Sequence, residues 1–204
     1  MKKILKRGPN LGSLTGLQEY LDHQYHISIF DQRMESPELL VIYLHPHRII
    51  RATITENQVF DVTLLIQDGG KEIVPKVGIK LLYSAHLDDS ISPLIKMDKN
   101  VGQLGLEPIL APKYRHHIKN KTLFPLMKER EVLFFTLLEG EVVRGILSGF
   151  SRYELTVTIK GGHPLTILRH DIYDVRNKKG RSFLKAFQEE HQDWEKSPLF
   201  VASE

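Results

Sequence analysis

The sequence predicts a mainly β protein with short helices, built from two tandem, strongly bent five-stranded antiparallel barrels, each preceded by a helix. Two observations lead to this prediction. Residues 131–175 divide into five short segments that have the length and turn signals of strands. Residues 40–82 repeat the pattern of residues 133–175 without a gap, which indicates a duplicated unit.

The strands of the second copy are predicted from its apolar pattern and its turns. Apolar and polar residues alternate through most of this region, as they do in half-buried strands. Glu139-Gly140 is a two-residue hairpin signal, and residues 161–164 (Gly-Gly-His-Pro) form a second turn. Gly145 and Gly149 indicate a sharp bend in the second strand. The predicted strands are 132–138, 141–148, 152–160, 165–169 and 172–175.

An offset of 93 residues aligns the first copy with the second, since it brings Leu40 onto Leu133. Alternation alone aligns many pairs of β segments, so matching apolar positions carry little weight. The polar matches, Arg51 with Arg144 and Lys76 with Arg169, are harder to explain by chance. The residues that meet identical partners are Leu40, Leu44, Arg51, Thr63, Ile66, Gly69 and Ile79.

The predicted domains are an N-terminal copy over residues 1–83, a linker over 84–121 and a C-terminal copy over 122–204. The first copy begins with a helix that Ser13 or Thr15 would cap. Turn-forming residues predict that the linker is mostly loop. Helices are also predicted from Leu123 to Arg130, before the second copy, and from Phe183 to Trp194, after it.

Composition narrows the classes of protein. The 204 residues are 26% charged and 41% hydrophobic, with a net charge of +3 and no cysteine. Disulfides, thiolate nucleophiles and cysteine-based zinc sites are therefore excluded. No apolar run approaches the roughly 20 residues of a membrane helix, and no signal-peptide pattern follows the N-terminus. We expect a cytoplasmic protein without a cofactor or membrane association.

A family resemblance rests on motifs in the second copy. The segments Lys128–Gly140, Val143–Gly145, Gly149–Tyr153 and Leu168–Ile172 follow one another in the order and spacing of the bacterial Hfq family of RNA chaperones. Hfq proteins are Sm-like (LSM-domain) proteins. The resemblance implies that both copies are Sm-like and that the protein binds RNA in post-transcriptional regulation.

The same resemblance implies an RNA site. Tyr153 takes the place of the aromatic that stacks on a base, Arg169 and His170 take the place of a Lys-His pair, and Lys128 and Arg130 take part of a basic rim. Arg152 stands where the family has glutamine, which affects base discrimination. The alternatives are that Tyr153 packs in the barrel and that His170 is a turn histidine bonded to backbone.

The first copy keeps only part of this set. Phe60 and Lys76 remain at the aromatic and cationic places, whereas Val77 replaces the histidine. This copy is either a scaffold half or a site for a different ligand. His45, His47, His116 and His117 do not define a metal site, because the sequence positions no third ligand.

The predicted partners are single-stranded RNA, U- or A-rich, and further copies of the chain. Unpaired fourth and fifth strands invite strand pairing between subunits, and the resemblance implies a ring. A trimer forming a pseudo-hexamer fits two units per chain. No catalytic motif is present, so an enzyme is not expected. The alternative function is an Sm-like protein-interaction scaffold that has lost RNA binding.

Overall fold

The computed structural model describes residues 14–184. Two short helices open this part of the chain, α1 (Leu17–Gln24) and α2 (Ile29–Glu35). Five strands follow: β1 (Leu40–Leu44), β2 (Arg48–Asn57), β3 (Asp61–Ile66), β4 (Lys71–Pro75) and β5 (Ile79–Ser84). A single 3-10 turn, Lys76–Gly78, joins β4 to β5. We call residues 29–84 the first half.

The connection between residues 85 and 119 contains short elements rather than loop alone. These are α3 (Asp88–Ile91), β6 (Lys96–Met97), α4 (Lys99–Gly102) and 3-10 turns at Ala85–Leu87, Ser92–Leu94 and Pro112–Tyr114. Ile91, Val101 and Ile118 are buried, and β6 pairs with a strand of the following unit. The connection is therefore packed onto the protein.

We call residues 120–177 the second half. It begins with α5 (Asn120–Glu129) and continues with β7 (Val132–Leu137), β8 (Glu141–Phe150), β9 (Glu154–Ile159), β10 (Pro164–Leu168) and β11 (Ile172–Asn177). A 3-10 turn, Arg169–Asp171, joins β10 to β11. The predicted strand positions lie close to these bounds.

The prediction of two tandem five-stranded Sm-like barrels is wrong. The strands form one open 11-stranded antiparallel sheet in the order β11-β7-β8-β9-β10-β5-β1-β2-β3-β4, with β6 paired to β8 beside this path. The physical reason is the pairing of β10 with β5, in which Thr166 lies opposite Leu82 and Ile167 opposite Leu81. Through this pairing the two halves share their edges and continue as a single sheet.

The register of the sheet repeats with the 93-residue offset. Leu40 lies opposite Ala52 in β1 and β2, and Leu133 lies opposite Gly145 in β7 and β8. The register between the second and third strands shifts at equivalent places, between Ile54 and Glu56 and between Leu147 and Gly149. Each half therefore has the same internal strand order and the same bulge.

Two apolar clusters lie on opposite faces of β1 and β5. Val41, Tyr43, Leu81 and Tyr83 pack into the core of the second half. Leu40, Ile42, Leu44 and Ile79 pack into the core of the first half. A strand that is buried on both faces reads as a continuous apolar run rather than an alternating one, which is why Leu40–Leu44 is apolar throughout.

The first helix, α1, attaches to the second half, whereas Ile29 and Phe30 of α2 pack into the core of the first half. Leu17, Tyr20 and Leu21 of α1 are partly buried against its core, and the Tyr20 hydroxyl donates to the Phe150 carbonyl over 2.8 Å. The N-cap of α1 is Gly16 rather than Thr15, and Ser13 lies outside the described residues. Ser28 caps α2 by accepting a hydrogen bond from the Phe30 N–H.

The C-terminal prediction is partly outside the described residues. Phe183 and Leu184 are not helical, because Phe183 donates its N–H to the Val175 carbonyl and the chain runs back along β11. Residues 185–194 of the predicted helix are not described. Within residues 14–184, no helix has the length and apolar content needed to cross a membrane.

Candidate functional site

The predicted aromatic residues lie at equivalent turns of the two halves. We call Gln58–Phe60 and Ser151–Tyr153 the aromatic turns. Each is closed by a 2.9 Å backbone hydrogen bond, from Gln58 to Asp61 and from Ser151 to Glu154. Phe60 is 79% exposed and Tyr153 is 56% exposed. Neither ring belongs to the core, so the alternative that Tyr153 packs inside the sheet does not apply.

A basic residue is hydrogen-bonded to each aromatic turn. The N–H groups of Lys76 and Arg169 donate to the carbonyls of Phe60 and Tyr153, both over 2.8 Å. The side chains repeat this symmetry, because Lys76 Nζ donates to the Gln58 carbonyl and Arg169 donates to the Ser151 carbonyl over 2.8 Å. These two cations hold the turns that present the rings.

The Arg169 guanidinium is largely committed to protein groups. It also donates to the Ile118 carbonyl over 2.7 Å and to Asn120 Oδ1 over 3.1 Å. These contacts fix the start of α5 beside the aromatic turn. The structure thus places Arg169 as a positioning residue, whereas the sequence predicted a phosphate contact.

His170 is also directed into the protein. Its Nε2 lies 2.9 Å from the Ile79 carbonyl, across the boundary between the halves. Burial lowers the pKa of His170 to about 4, so the ring is neutral at pH 7 and adds no charge for a phosphate. The alternative of a turn histidine bonded to backbone describes its position.

The other predicted cations are exposed but do not converge on one point. Arg152 stands over the Tyr153 ring, with its guanidinium carbon 5.2 Å from the ring centroid. Lys128 stands over the Phe124 ring at 5.3 Å, and Arg130 follows α5 in a left-handed conformation. Asn120, which contacts Arg169, is separated from Lys128 by the length of α5, roughly 12 Å at 1.5 Å per residue.

A charge cluster between the halves, buried except for His47, was not predicted. The first half supplies His45, His47 and Lys80, and the second half supplies Glu139, Glu141 and Asp171. Lys80 Nζ contacts both glutamates, and it is only 1% exposed. His45 lies between Asp171 and Glu139. All the basic side chains of the cluster thus come from one half and all its acidic side chains from the other.

Burial and charge act against each other in this cluster. Burial raises the pKa of Glu139, but Lys80 and the His47 N–H lower it by more, so this carboxylate stays ionised. Burial raises the pKa of Asp171 to about 6, against the hydrogen bond from His45. Burial lowers the pKa of His45, but the hydrogen bond and charge of Asp171 outweigh it and raise the pKa overall.

The cluster has features of a cation site. His47, Glu139 and Glu141 hold possible metal-ligand atoms within 4.8 Å of one another. The Lys80 ammonium, however, already lies against both carboxylates and neutralises part of their charge. His45, His47 and Glu139 also line a cavity of about 560 Å³ between β4 and the connection.

The sequence contains a signal for buried charges in this cluster, but it does not show which residues pair. Lys80 is a single charge inside the apolar run Ile79–Tyr83, and two glutamates flank Gly140. A lone buried lysine requires a partner, but the partners lie 59 and 61 residues away.

Comparisons of the chain with protein-family models, with curated proteins and with solved structures found no match. The sites are therefore interpreted from their own geometry. The aromatic turns present exposed rings beside cations, which suits a flat, polar-edged ligand. The charge cluster joins the halves and has a structural explanation in its own ion pairs.

Proposed function

We propose that the protein binds single-stranded RNA through its aromatic turns and acts in post-transcriptional regulation. The observation that supports this most directly is the repeated exposure of Phe60 and Tyr153 at equivalent turns. An exposed ring gains little from the core, and a flat aromatic stacks on an unpaired base for roughly 1–3 kcal/mol. Base-paired nucleotides are already stacked, so the preferred ligand is single-stranded.

Charge near Tyr153 supports the same ligand. Arg152 is exposed beside the ring, and Lys119 and Lys121 are exposed on either side of Asn120, which Arg169 connects to the turn. Lysine and arginine neutralise phosphates and release counterions, so binding should weaken steeply with salt. Phosphate contact is assigned to these exposed side chains, while Arg169 and His170 hold the structure.

Binding of labelled U-rich and A-rich oligonucleotides, measured by fluorescence anisotropy at about 50 mM and about 200 mM salt, tests the proposal. We expect sub-micromolar binding at the lower salt concentration. Tyr153→Leu should weaken it roughly 5- to 150-fold, the equivalent of 1–3 kcal/mol. Tyr153→Phe should retain binding, because it keeps the ring.

Two controls locate the effect. Ile49→Ala removes an exposed apolar side chain (57% exposed) away from the aromatic turns and should leave binding unchanged. His170→Ala should change binding less than Tyr153→Leu does, because the imidazole is neutral and faces Ile79. Equal affinities for wild type and Tyr153→Leu would contradict the proposal.

A protein-interaction scaffold is the second candidate. Large apolar side chains of the first half are exposed on its strands at Ile49, Leu65 and Ile73 and in its aromatic turn at Val59 and Phe60. Apolar side chains left exposed to solvent are available to a protein partner, and large exposed apolar patches are typical of protein-binding surfaces. The same titrations separate the candidates, since a scaffold predicts no saturable binding of either oligonucleotide at low salt.

A further inference from the structure

The pairing of β10 with β5 shows how two units of this fold join. β10 is the fourth strand of the second half, and it lies antiparallel to the fifth strand of the first half. Thr166 in this junction is only 8% exposed. The equivalent residue of the first half is Ile73 on β4, which is 66% exposed. Within residues 14–184, β4 pairs with β3 alone.

In the second half, the edge equivalent to the β5 edge that pairs with β10 is the outer edge of β11. This edge is covered by the residues that follow β11. After a turn at Asn177–Gly180, residues 181–184 run back along β11, and we call them the C-terminal strap. The Phe183 N–H donates to the Val175 carbonyl over 2.9 Å, and the Asn177 N–H donates to the Arg181 carbonyl over 3.1 Å. Ser182 forms an antiparallel bridge with Arg176.

The residues of β11 are adapted to the strap. Asp174, 1% exposed, accepts a hydrogen bond from the Ser182 hydroxyl over 2.6 Å. The equivalent residue on β5 is Leu81, which pairs with Ile167 of β10. Leu184 of the strap is itself buried in the core of the second half. A polar partner for the strap thus stands on β11 where the paired strand β5 of the first half has an apolar residue.

We propose that the C-terminal strap blocks a self-association edge: when it is released, β4 of a second copy pairs with β11 head to tail. The register follows from the junction inside the chain, and it places Ile73 opposite Val175. With the strap in place only one of the two complementary edges is open, so the chain stays monomeric. Head-to-tail pairing generates rings if the rotation closes and filaments otherwise.

Light scattering of the full chain and its variants tests this. Wild type should have a mass near 23.5 kDa. Phe183→Pro removes the N–H that bonds Val175, and Ser182→Val removes the hydroxyl that bonds Asp174. Each should produce concentration-dependent assemblies. Phe183→Ala keeps the N–H and is the control for the loss of the side chain.

A second substitution shows whether the assemblies use β4. Ile73→Lys places a charge on this exposed edge strand, a change that opposes strand pairing. Added to Phe183→Pro, it should restore the monomeric mass. Assemblies that persist in this double variant would show association through exposed core instead, and would overturn the proposal. A wild-type chain that is already oligomeric, or folded strap variants that remain monomeric, would also overturn it.

Cross-linking tests the register, because the chain contains no cysteine. In the Phe183→Pro background, a protein with Ile73→Cys is mixed with a protein carrying Val175→Cys. Opposed cysteines lie within the Cα distance that a disulfide spans, so a mixed disulfide dimer should form. Replacing Val175→Cys by Arg176→Cys shifts the pair by one residue and should reduce the yield several-fold. Equal yields would contradict the proposed register.

Discussion

The two halves share a strand register but differ in what their side chains do. The first half exposes Ile49 and Ile73, whereas the equivalent residues of the second half, Val142 and Thr166, are 3% and 8% exposed. β6 pairs with β8 beside Val142, and β5 pairs with β10 beside Thr166. The difference shows that neighbouring strands, rather than the register, decide which positions need apolar or polar residues.

The halves also differ in the charges that they bring to their junction, because the lysine comes from the first half and the glutamates come from the second. Lys80 of β5 is buried against Glu139 and Glu141, and the equivalent position on β11 is Tyr173, which is 8% exposed. The same backbone position therefore carries an ammonium in one half and a phenol in the other. This asymmetry fits a junction that occurs once in the chain, because each half needs to complement only the other.

Removing Lys80 should have the largest effect. Lys80→Ala leaves two buried carboxylates without their cation, and breaking a buried pair in this way costs about 3–5 kcal/mol. Urea denaturation measures the loss in the free energy of unfolding. Lys71→Ala is the matched control, since Lys71 and Glu56 are exposed and 3.9 Å apart, and such pairs contribute about 1 kcal/mol or less.

A further variant separates burial of charge from loss of packing. Lys80→Met combined with Glu139→Gln and Glu141→Gln removes all three charges while keeping similar volumes. We expect it to recover much of the stability, because uncharged replacements of buried ion pairs are often neutral or stabilising. A loss for Lys80→Ala as small as that for Lys71→Ala would show that the cluster does not hold the halves together.

Alternation and turn residues predicted the strands because these signals are local. The run before Glu139-Gly140 became β7, and the alternating segment after Arg152 became β9. Whether a sheet closes or stays open depends on which edges pair, and no local pattern carries this information. The junction of Thr166 with Leu82 joins residues far apart in sequence, which is why closed barrels were predicted wrongly.

The candidate site was predictable to a similar degree. The family resemblance selected Phe60 and Tyr153, and both side chains are exposed, although Tyr153 lies at a turn and not in the strand predicted over 152–160. The direction of a long side chain could not be predicted from the sequence, because it depends on hydrogen-bond acceptors that only folding brings nearby. The Arg169 guanidinium donates hydrogen bonds to the carbonyls of Ser151 and Ile118. A side chain that was expected to contact RNA therefore positions the protein's own segments.

Glu154 provides the second test, at a position where the first half has Asp61. Its carboxylate accepts the Ile29 N–H at the start of α2 over 3.0 Å and thereby joins the second half to a helix of the first. Burial raises the pKa of Glu154 to about 7. Between its unfolded pKa and this value the folded state binds a proton that the unfolded state lacks. The Glu154 contribution to stability therefore falls as pH rises.

Glu154→Gln removes this titration and keeps an oxygen that accepts the helix N–H. Near pH 4 the two proteins should be about equally stable, and at pH 8 the variant should be more stable by about 3 kcal/mol. Urea denaturation across this pH range measures the difference. Asp61→Asn is the control at the equivalent position. If the difference in the free energy of unfolding between wild type and Glu154→Gln does not change with pH, the fold does not raise the pKa of Glu154.

The smallest expected effect compares the two positioning cations. Arg169→Lys should keep one bond to the Ser151 carbonyl, as Lys76 bonds Gln58, but lose those to Ile118 and Asn120. The lost bonds predict a loss of about 1–2 kcal/mol. The reverse change, Lys76→Arg, should cost less, because it deletes no hydrogen bond from the first half. Hydrogen exchange of the Leu123 amide, at the start of α5, should quicken in Arg169→Lys alone, since the arginine anchors that segment. Equal exchange rates of the Leu123 amide in both variants would mean that apolar contacts, and not the hydrogen bonds of Arg169, hold the start of α5.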